Sequence, residues 1–597
     1  MSGSSPRFAA IRQRLRTHGG LWPAGVFLVV LFAIPVVQVL SLSGFDEAGN
    51  LSFVQFERLL VTSTYFQVLI NTFWLTIKVT LLCLLIGYPI AYLLANVDMR
   101  SRNALLVWVL VPMWTSFLVR ILAWMVILGR NGVLNQTLRQ LGITNAPLVL
   151  TQNNIGVMIG SLHAMLPIAI LMMLSVMMNI DRSLGRAAAT LGAQGPMIFF
   201  RIYLPLSLPG IAASGLMVFV SVLGFFIAPQ MLGSPSEIVI SQVIITQLSE
   251  TLDWNFASAL SVVLLLCTFL VVVLFDKAVG MAALTGDMPG AGQRRGGGLA
   301  TALSRIGRRS MTAAGWTFVW LGNLLPSRRL SQDFDERPGV SIWLLGILGV
   351  LFLALPTFFL IPISLSENRF LAWPPKGFTW NWYAAYFNSV AWRDATIRSI
   401  LLGLGTAAMS MALGLPAAFV LARQKVYARG AVLALLLLPM VVPHIIVAVG
   451  LFYIYARIGL VGTNFGLMLG NAIFSLPYVV ITVMAVLRNY DERLDQAAWT
   501  LGANRFTTFR RITLPLLKSG VVTGFLFAFM KAVDELAIAL FVADAGTNLI
   551  PKKLWEEMSY KIDPSLAAVS TLILLIVGVA IAITQVVGAS DRTQRRR

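Results

Sequence analysis

The chain has 597 residues, of which 57% are hydrophobic and 12% are charged, and its formal net charge is +20. A mean hydropathy of +0.81 excludes a soluble globular domain, because a soluble core cannot bury so large a share of apolar residues. The positive charge does not indicate nucleic-acid binding, since the sequence contains no compact basic domain that could hold a duplex. The composition therefore predicts an integral membrane protein whose basic residues lie in aqueous loops and near membrane lipid.

Apolar stretches of roughly 20 residues, each long enough to cross a ~30 Å bilayer core, recur along the chain. Backbone groups in hydrocarbon must be paired within the segment, which favours helices over open strands. We therefore predict an all-α membrane protein with twelve transmembrane helices in two six-helix halves. The predicted spans lie near 22–42, 68–95, 104–128, 155–178, 210–233 and 258–275, then 341–363, 397–422, 430–455, 467–487, 520–543 and 565–588.

A polar linker divides the chain into a first half, 1–275, and a second half, 341–597. The linker, 276–340, contains three consecutive glycines at 296–298 and scattered arginines, which is typical of a solvated connector. Its apolar stretch 311–325 is too short to span a bilayer, so we predict a helix lying on the inner leaflet, with disorder as the alternative.

Lysine and arginine are distributed unequally between the two sides of the predicted membrane. The side that holds the N-terminus has 31 of them and the other side has 10, while Lys78, Arg120, Arg398 and Lys531 lie within or at the ends of spans. By the positive-inside rule, this distribution places the linker and both termini in the cytoplasm.

A short motif after the fourth predicted helix recurs 310 residues later, after the tenth. It reads Arg186-Ala-Ala-Ala-Thr-Leu-Gly192 and Gln496-Ala-Ala-Trp-Thr-Leu-Gly502, and each copy continues to a Leu-Pro pair, at 204–205 and 514–515. One fixed spacing indicates two duplicated halves. In each copy, two alanines and a leucine are predicted to share one face of a short helix that a glycine ends; these residues are Ala187, Ala188, Leu191 and Gly192, then Ala497, Ala498, Leu501 and Gly502.

The two loops, 186–205 and 496–515, resemble the EAA loops of permease subunits of binding-protein-dependent ABC importers. Both depart from the family pattern at its leading glutamate, which is Arg186 in one copy and Gln496 in the other. The resemblance implies a type I importer permease fold and a location in the bacterial cytoplasmic (inner) membrane. It also implies two kinds of protein partner. Two copies of an ATPase subunit would bind these loops and carry ATP and Mg, and an extracytoplasmic solute-binding protein would deliver the cargo.

Further segments resemble the two permease subunits of spermidine/putrescine-type importers. Residues 116–124 and 128–135 are similar to the first subunit, and 362–366, 380–383 and 534–541 are similar to the second. The resemblance implies a fused permease that moves a polyamine or related organic amine by alternating access. The alternatives are ferric iron or an aminophosphonate-like solute as cargo, an ion-coupled secondary transporter, which can also have duplicated halves, and a membrane-embedded enzyme.

The sequence lacks a Gly-x-x-x-x-Gly-Lys-Ser/Thr phosphate-binding loop, so ATP hydrolysis is expected in a separate subunit and no enzyme activity or cofactor is expected in this chain. The three histidines are widely separated, and both cysteines, Cys83 and Cys267, fall in apolar stretches. Neither pattern predicts a metal site.

Charged residues in the eleventh predicted helix are the candidate substrate path, because charge in hydrocarbon is costly unless it faces the bundle interior or a partner. Lys531 and Glu535 are four residues apart and can pair on one face, while Asp534 points elsewhere. Either these charges only stabilise the bundle, or Asp534 and Glu535 offer carboxylates to a cationic substrate. Trp114 and Trp124 could add a cation–π surface or serve ordinary packing.

Overall fold

The computed structural model describes residues 19–46, 49–278, 338–424, 428–488 and 490–576, with 317, 426 and 578 as isolated residues. Within these ranges the chain is helical, and its only extended pairing is one isolated bridge between Phe45 and Leu51. Nine described helices are long and apolar enough to cross a membrane, and two bent pairs raise this number to as many as eleven. The predicted interfacial helix at 311–325 lies, apart from Thr317, outside the described residues.

The helices follow the predicted order of six and six. In the first half they are Gly19–Gly44, Ser63–Asn96, Met99–Trp114 with Phe117–Leu128, Asn154–Met177, Gly195–Leu223 and Trp254–Ala278. In the second half they are Val340–Ser364, Val390–Arg423, Arg429–Val441 with His444–Ile458, Asn464–Arg488, Arg505–Leu516 with Lys518–Val533, and the shorter Pro564–Ile576. We refer to them as the first to twelfth spans.

Four spans are interrupted, so the prediction of single continuous helices near 104–128, 210–233, 430–455 and 520–543 was wrong. The third span stops at Trp114 and restarts at Phe117, and the ninth bends by 94° before His444. Val442 is extended because the following proline disfavours helical geometry at that position. The fifth and eleventh spans end at Leu223 and Val533, and short helices Ile227–Leu232 and Leu536–Val542 follow.

The duplication extends to helix lengths. The second and eighth spans each have 34 residues, and their first residues are 327 positions apart. The first residues of the fourth and tenth spans are only 310 positions apart. The first half therefore has 17 additional residues between its third and fourth spans, and these include the short helix Val133–Gln140. Since the motif loops follow the fourth and tenth spans, they keep the spacing of 310.

The first helix of each half packs against the opposite half. Gly20 approaches the eighth span so closely that a Cβ atom would lie 2.9 Å from the Pro416 carbonyl oxygen, and Gly349 of the seventh span packs on Ile90 of the second. His163 Nε2 lies 3.0 Å from the Leu353 carbonyl oxygen of the seventh span. The two halves consequently share one core of buried apolar residues.

Candidate functional site

The helix interruptions of the two halves meet at one place inside the protein. Asp534, after the eleventh span, accepts a hydrogen bond of 2.9 Å from the backbone N–H of Phe117, where the third span restarts. Gly224, after the fifth span, contacts Pro443 in the break of the ninth, and a Cβ atom there would lie 3.0 Å from Pro443 Cβ. Irregular backbone at membrane depth is tolerated only where it is buried in protein or lines a cavity, which makes this junction the candidate site.

The junction is symmetric in backbone but not in charge. Gly224 and Asp534 occupy equivalent positions, 310 residues apart, as do Phe225 and Glu535. The Phe225 ring packs on the Phe117 ring at a centroid distance of 5.3 Å. Both carboxylates of the site therefore come from the second half, and the first half contributes a close glycine contact and an aromatic ring.

Glu535 is held entirely by its own half. Its side chain is 2% exposed, and Oε2 lies 2.6 Å from Lys531 Nζ and 3.2 Å from His444 Nδ1. Its Oε1 accepts a hydrogen bond from the Ala537 backbone N–H. The predicted Lys531–Glu535 pair is confirmed, but Glu535 follows the end of the helix instead of lying within it.

Asp534 points toward the first half, in a direction different from Glu535, as predicted. Besides Phe117, its neighbours are the Ser116 side chain and the positive charges of buried Arg120 and of Lys531. Arg120 Nη1 is 3.5 Å from the Ala164 carbonyl oxygen. A carboxylate at the N-terminus of a helix is stabilised by the helix dipole, so Asp534 acts as an end group for the helix Phe117–Leu128.

The two tryptophans predicted at the substrate path occupy different surroundings. Trp114 is the last residue before the interruption in the third span and is half-buried. Trp124 is buried, and its ring packs against His163 at 5.6 Å and Phe352 of the seventh span at 5.2 Å. Only Trp114 therefore adjoins the junction. Among the described residues, no group of three or more His, Cys, Asp and Glu side chains is arranged to hold a metal ion.

Each motif loop forms a short helix ended by a glycine. The helices are Ser183–Thr190 and Arg493–Thr500, and Gly192 and Gly502 adopt positive φ angles of 84° and 86°. The side chains of Leu191 and Leu501 are 89% and 87% exposed. Arg186, Ala187, Gln496 and Ala497 are exposed, Ala188 is half-buried and Ala498 is buried. Each loop thus presents a leucine that the described part of the chain leaves uncovered.

The loops are attached to the long second and eighth spans by different contacts. In the first half, Arg182 Nη2 donates to the Ala95 carbonyl oxygen at 2.8 Å. In the second half, the buried Asp495 carboxylate accepts hydrogen bonds from Arg423 at 2.7 Å, Tyr490 at 2.6 Å and Thr513 at 2.8 Å. Gly185 stands where the second copy has Asp495, so this ion pair belongs to the second half.

The start of the first loop is also fixed locally. The Asp181 carboxylate accepts a hydrogen bond of 2.8 Å from the Ser183 backbone N–H, and this bond holds the pKa of Asp181 below its usual range. Near its end, each loop contains a π-helical turn, Phe199–Tyr203 or Phe509–Thr513, which is already part of the fifth or eleventh span. These two spans end immediately before Gly224 and Asp534, so each loop leads directly to the central junction.

Sequence reasoning missed two features of the site. The contact between Asp534 and Phe117 joins residues 417 positions apart, and no periodicity could indicate it. The Asp495–Arg423 pair was also missed. The sequence did contain a signal for this pair. The two loops match closely, but Gly185 in the first occupies the position of Asp495 in the second, and such a difference indicates a contact made in one half only.

Comparison with known proteins gives the same division into two repeats. The family model described as "Binding-protein-dependent transport system inner membrane component" matches residues 87–281 and 410–595. The spermidine/putrescine transport system permease protein PotB of Haemophilus influenzae is 33% identical over 258 residues, covering 42% of this chain and 90% of that protein. PotC of the same organism is 29% identical over 237 residues, covering 40% and 91%. A bacterial alginate ABC transporter structure matches with 19% identity over 45% of this chain and 96% of that chain, at a TM-score of 0.39.

Proposed function

Because the chain belongs to the family of binding-protein-dependent transport system inner membrane components, we propose that it forms the complete membrane pathway of an ABC importer for a polyamine. The family model matches the chain twice, and PotB and PotC, which are separate proteins, each match about 40% of it. One chain with both repeats therefore takes the place of a permease pair. The names of these two relatives support a cargo of the spermidine/putrescine class.

The observation that carries the cargo proposal is the position of Asp534. It is the carboxylate that joins the two halves, whereas Glu535 is already paired with the Lys531 ammonium and in contact with His444 in its own half. When the halves rock apart, Asp534 loses the Phe117 N–H and becomes available to an ammonium group of the cargo. Trp114, beside the same interruption, can receive the cation on its ring face.

Energy coupling is proposed to act through the two motif loops. Two copies of an ATPase subunit, which bind ATP and Mg, seat the exposed Leu191 and Leu501 in their grooves. Closure of the ATPases then displaces the loops, and the fifth and eleventh spans carry this displacement to Gly224 and Asp534. A solute-binding protein docks on the opposite, extracytoplasmic side. The orientation with both termini in the cytoplasm rests on the excess of basic residues on that side.

The test is reconstitution of the full chain with its ATPase and solute-binding protein in proteoliposomes. We expect ATP-dependent uptake of labelled spermidine or putrescine, with ATP hydrolysis stimulated by the loaded binding protein. Uptake driven by a proton or sodium gradient without the ATPase would refute the ABC mechanism. Transport of ferric iron or an aminophosphonate in preference to polyamines would keep the mechanism and refute the cargo.

A further inference from the structure

A lysine lies on the outer surface of the second span, in the middle of an apolar face. Lys78 is the sixteenth of 34 residues in Ser63–Asn96 and is exposed, as are Trp74, Ile77, Leu81 and Leu85 along the same face. A surface of large exposed apolar side chains on a membrane-spanning helix faces lipid. Lys78 therefore does not face the central junction, and its charge cannot repel a cationic cargo there.

No carboxylate in the described part of the chain pairs with Lys78. None of the ion pairs among the described residues includes it, although a charge at membrane depth is costly without a partner. The lysine lines a groove that also contains Asn71, Trp74, Asn154, Ser236 and Glu237. The groove lies toward the Ser63 end of the second span, while the motif loop is attached at the Ala95 end. It therefore belongs to the leaflet opposite the loops.

The groove is built in two levels. At the upper level, the Asn71 amide donates to the Ser236 carbonyl oxygen at 2.8 Å, next to Glu237. Hydrogen bonds from Ser234 and Ser236 fix the orientation of the Glu237 carboxylate. Lys78 follows Asn71 by seven residues, which places its Cα ~10 Å deeper along the helix. An anionic group thus lies above a cationic group, and the Lys78 side chain can extend toward the surface to shorten the separation.

We propose that this groove binds the phosphoethanolamine headgroup of a phospholipid in the leaflet opposite the motif loops. In such a lipid the phosphate lies nearer the hydrocarbon than the ammonium does. The phosphate then pairs with Lys78 and the ammonium with Glu237, in the order in which the groove presents the two charges. Trp74 is 57% exposed beside them, and tryptophan is a residue type enriched at the boundary between headgroups and acyl chains.

The second half contains an equivalent groove with a different charge arrangement. It is lined by Asp394, Arg398, Leu401, Asn464 and Met468, among others, and Leu401 and Asn464 correspond to Trp74 and Asn154. Gly405 occupies the position equivalent to Lys78, so this groove has no positively charged side chain at the deeper level. The structure assigns the two-level headgroup site to the first half alone.

The proposal is tested by native mass spectrometry of the detergent-solubilised full chain with added dioleoyl phosphatidylethanolamine, phosphatidylglycerol or phosphatidylcholine. We expect the wild type to bind one phosphatidylethanolamine more tightly than the other two lipids. Lys78→Met should weaken this binding about tenfold, as expected for one lost charge-assisted hydrogen bond, and Lys78→Arg should retain it. Glu237→Gln should remove the preference over phosphatidylglycerol, which has no ammonium group.

Arg130→Met is the matched control, because it removes an exposed cation at the same end of the protein outside the groove, and binding should be unchanged. Thermal unfolding of each variant without added lipid shows whether the fold is intact. Equal binding of phosphatidylethanolamine by wild type and Lys78→Met would overturn the site. A wild type that does not distinguish phosphatidylethanolamine from phosphatidylglycerol would overturn the assignment of the headgroup.

Discussion

Asp534 and Phe117 are joined by a hydrogen bond of 2.9 Å between the carboxylate Oδ1 and the backbone N–H, although they belong to opposite halves of the chain. The bond connects the end of the eleventh span with the point where the third span restarts. A movement that separates the two halves at this point would break or lengthen it. The same carboxylate is then exposed to whatever enters the junction.

The first prediction separates the charge of Asp534 from its hydrogen bond. Asp534→Asn retains an oxygen that can accept from the Phe117 N–H, but it removes the negative charge. We expect uptake at limiting polyamine to fall about tenfold or more, since a charge-assisted hydrogen bond contributes ~1.5–3 kcal/mol. The amount of inserted protein and the stimulation of ATP hydrolysis should change less.

A matched control for this substitution is Asp98→Asn. Asp98 also accepts hydrogen bonds from backbone N–H groups at a helix start, those of Arg100 and Ser101, but it lies exposed outside the junction. Uptake by this variant should equal that of the wild type. If Asp534→Asn transports normally, or loses transport only through poor folding, Asp534 has a purely structural role.

The second prediction concerns the buried pair of Lys531 and Glu535. Glu535→Gln leaves the Lys531 ammonium without its partner 2.6 Å away, and removing one member of a buried pair costs ~3–5 kcal/mol. We expect a lower yield of folded protein and a lower thermal transition temperature in detergent. The double variant with Lys531→Gln should recover much of the stability, because no buried charge is then unpaired. Equal stability of the single and double variants would contradict this assignment.

The third prediction tests the glycines of the motif loops. Replacing Gly192 or Gly502 with valine should leave the protein inserted and abolish solute-stimulated ATP hydrolysis. A side chain at either glycine would meet no neighbouring atoms, but both glycines have a positive φ angle. The substitution therefore introduces backbone strain of ~1–2 kcal/mol, which distorts the loop. Asparagine, which tolerates this conformation better, should preserve part of the stimulation.

Gly430→Val provides the comparison for these loop variants. Gly430 also has open space around its Cβ position, but its φ angle is not positive and it lies outside the loops. Stimulation should be unaffected by this change. Unchanged stimulation in both the Gly192 and Gly502 valine variants would remove the coupling assignment of the loops.

The fourth prediction concerns the connection between the halves. Cleavage at a protease site inserted within 282–300 should leave two fragments that remain associated and transport, because the covalent link there only raises their effective concentration. The crossed packing of the first and seventh spans against the opposite halves provides the contacts that hold them together. Co-purification and uptake after cleavage are the measurements. Separation of the fragments would show that the linker has a structural role.

Much of the architecture could be predicted from the sequence because its causes are local. Twenty apolar residues must form a helix in a bilayer, and a motif repeated at a spacing of 310 indicates duplicated halves. A separation of four positions places Lys531 and Glu535 on adjacent helical turns. The order of six and six helices, the stopping glycines and the Lys531–Glu535 pair all followed from such patterns.

Only the tertiary structure determined how the halves meet. The mean hydropathy of a span does not reveal an interruption inside it, because the few residues at the break, such as Gly224 or Val442, change that mean little. The Asp534 side chain is oriented by its hydrogen bond with the backbone N–H of Phe117. This N–H is free to donate to a side chain only because a helix begins at Phe117. Whether a charge faces lipid or the junction likewise depends on the rotation of its helix. Packing fixes that rotation, so Lys78 lies in an outer groove while Arg120 is buried beside Asp534.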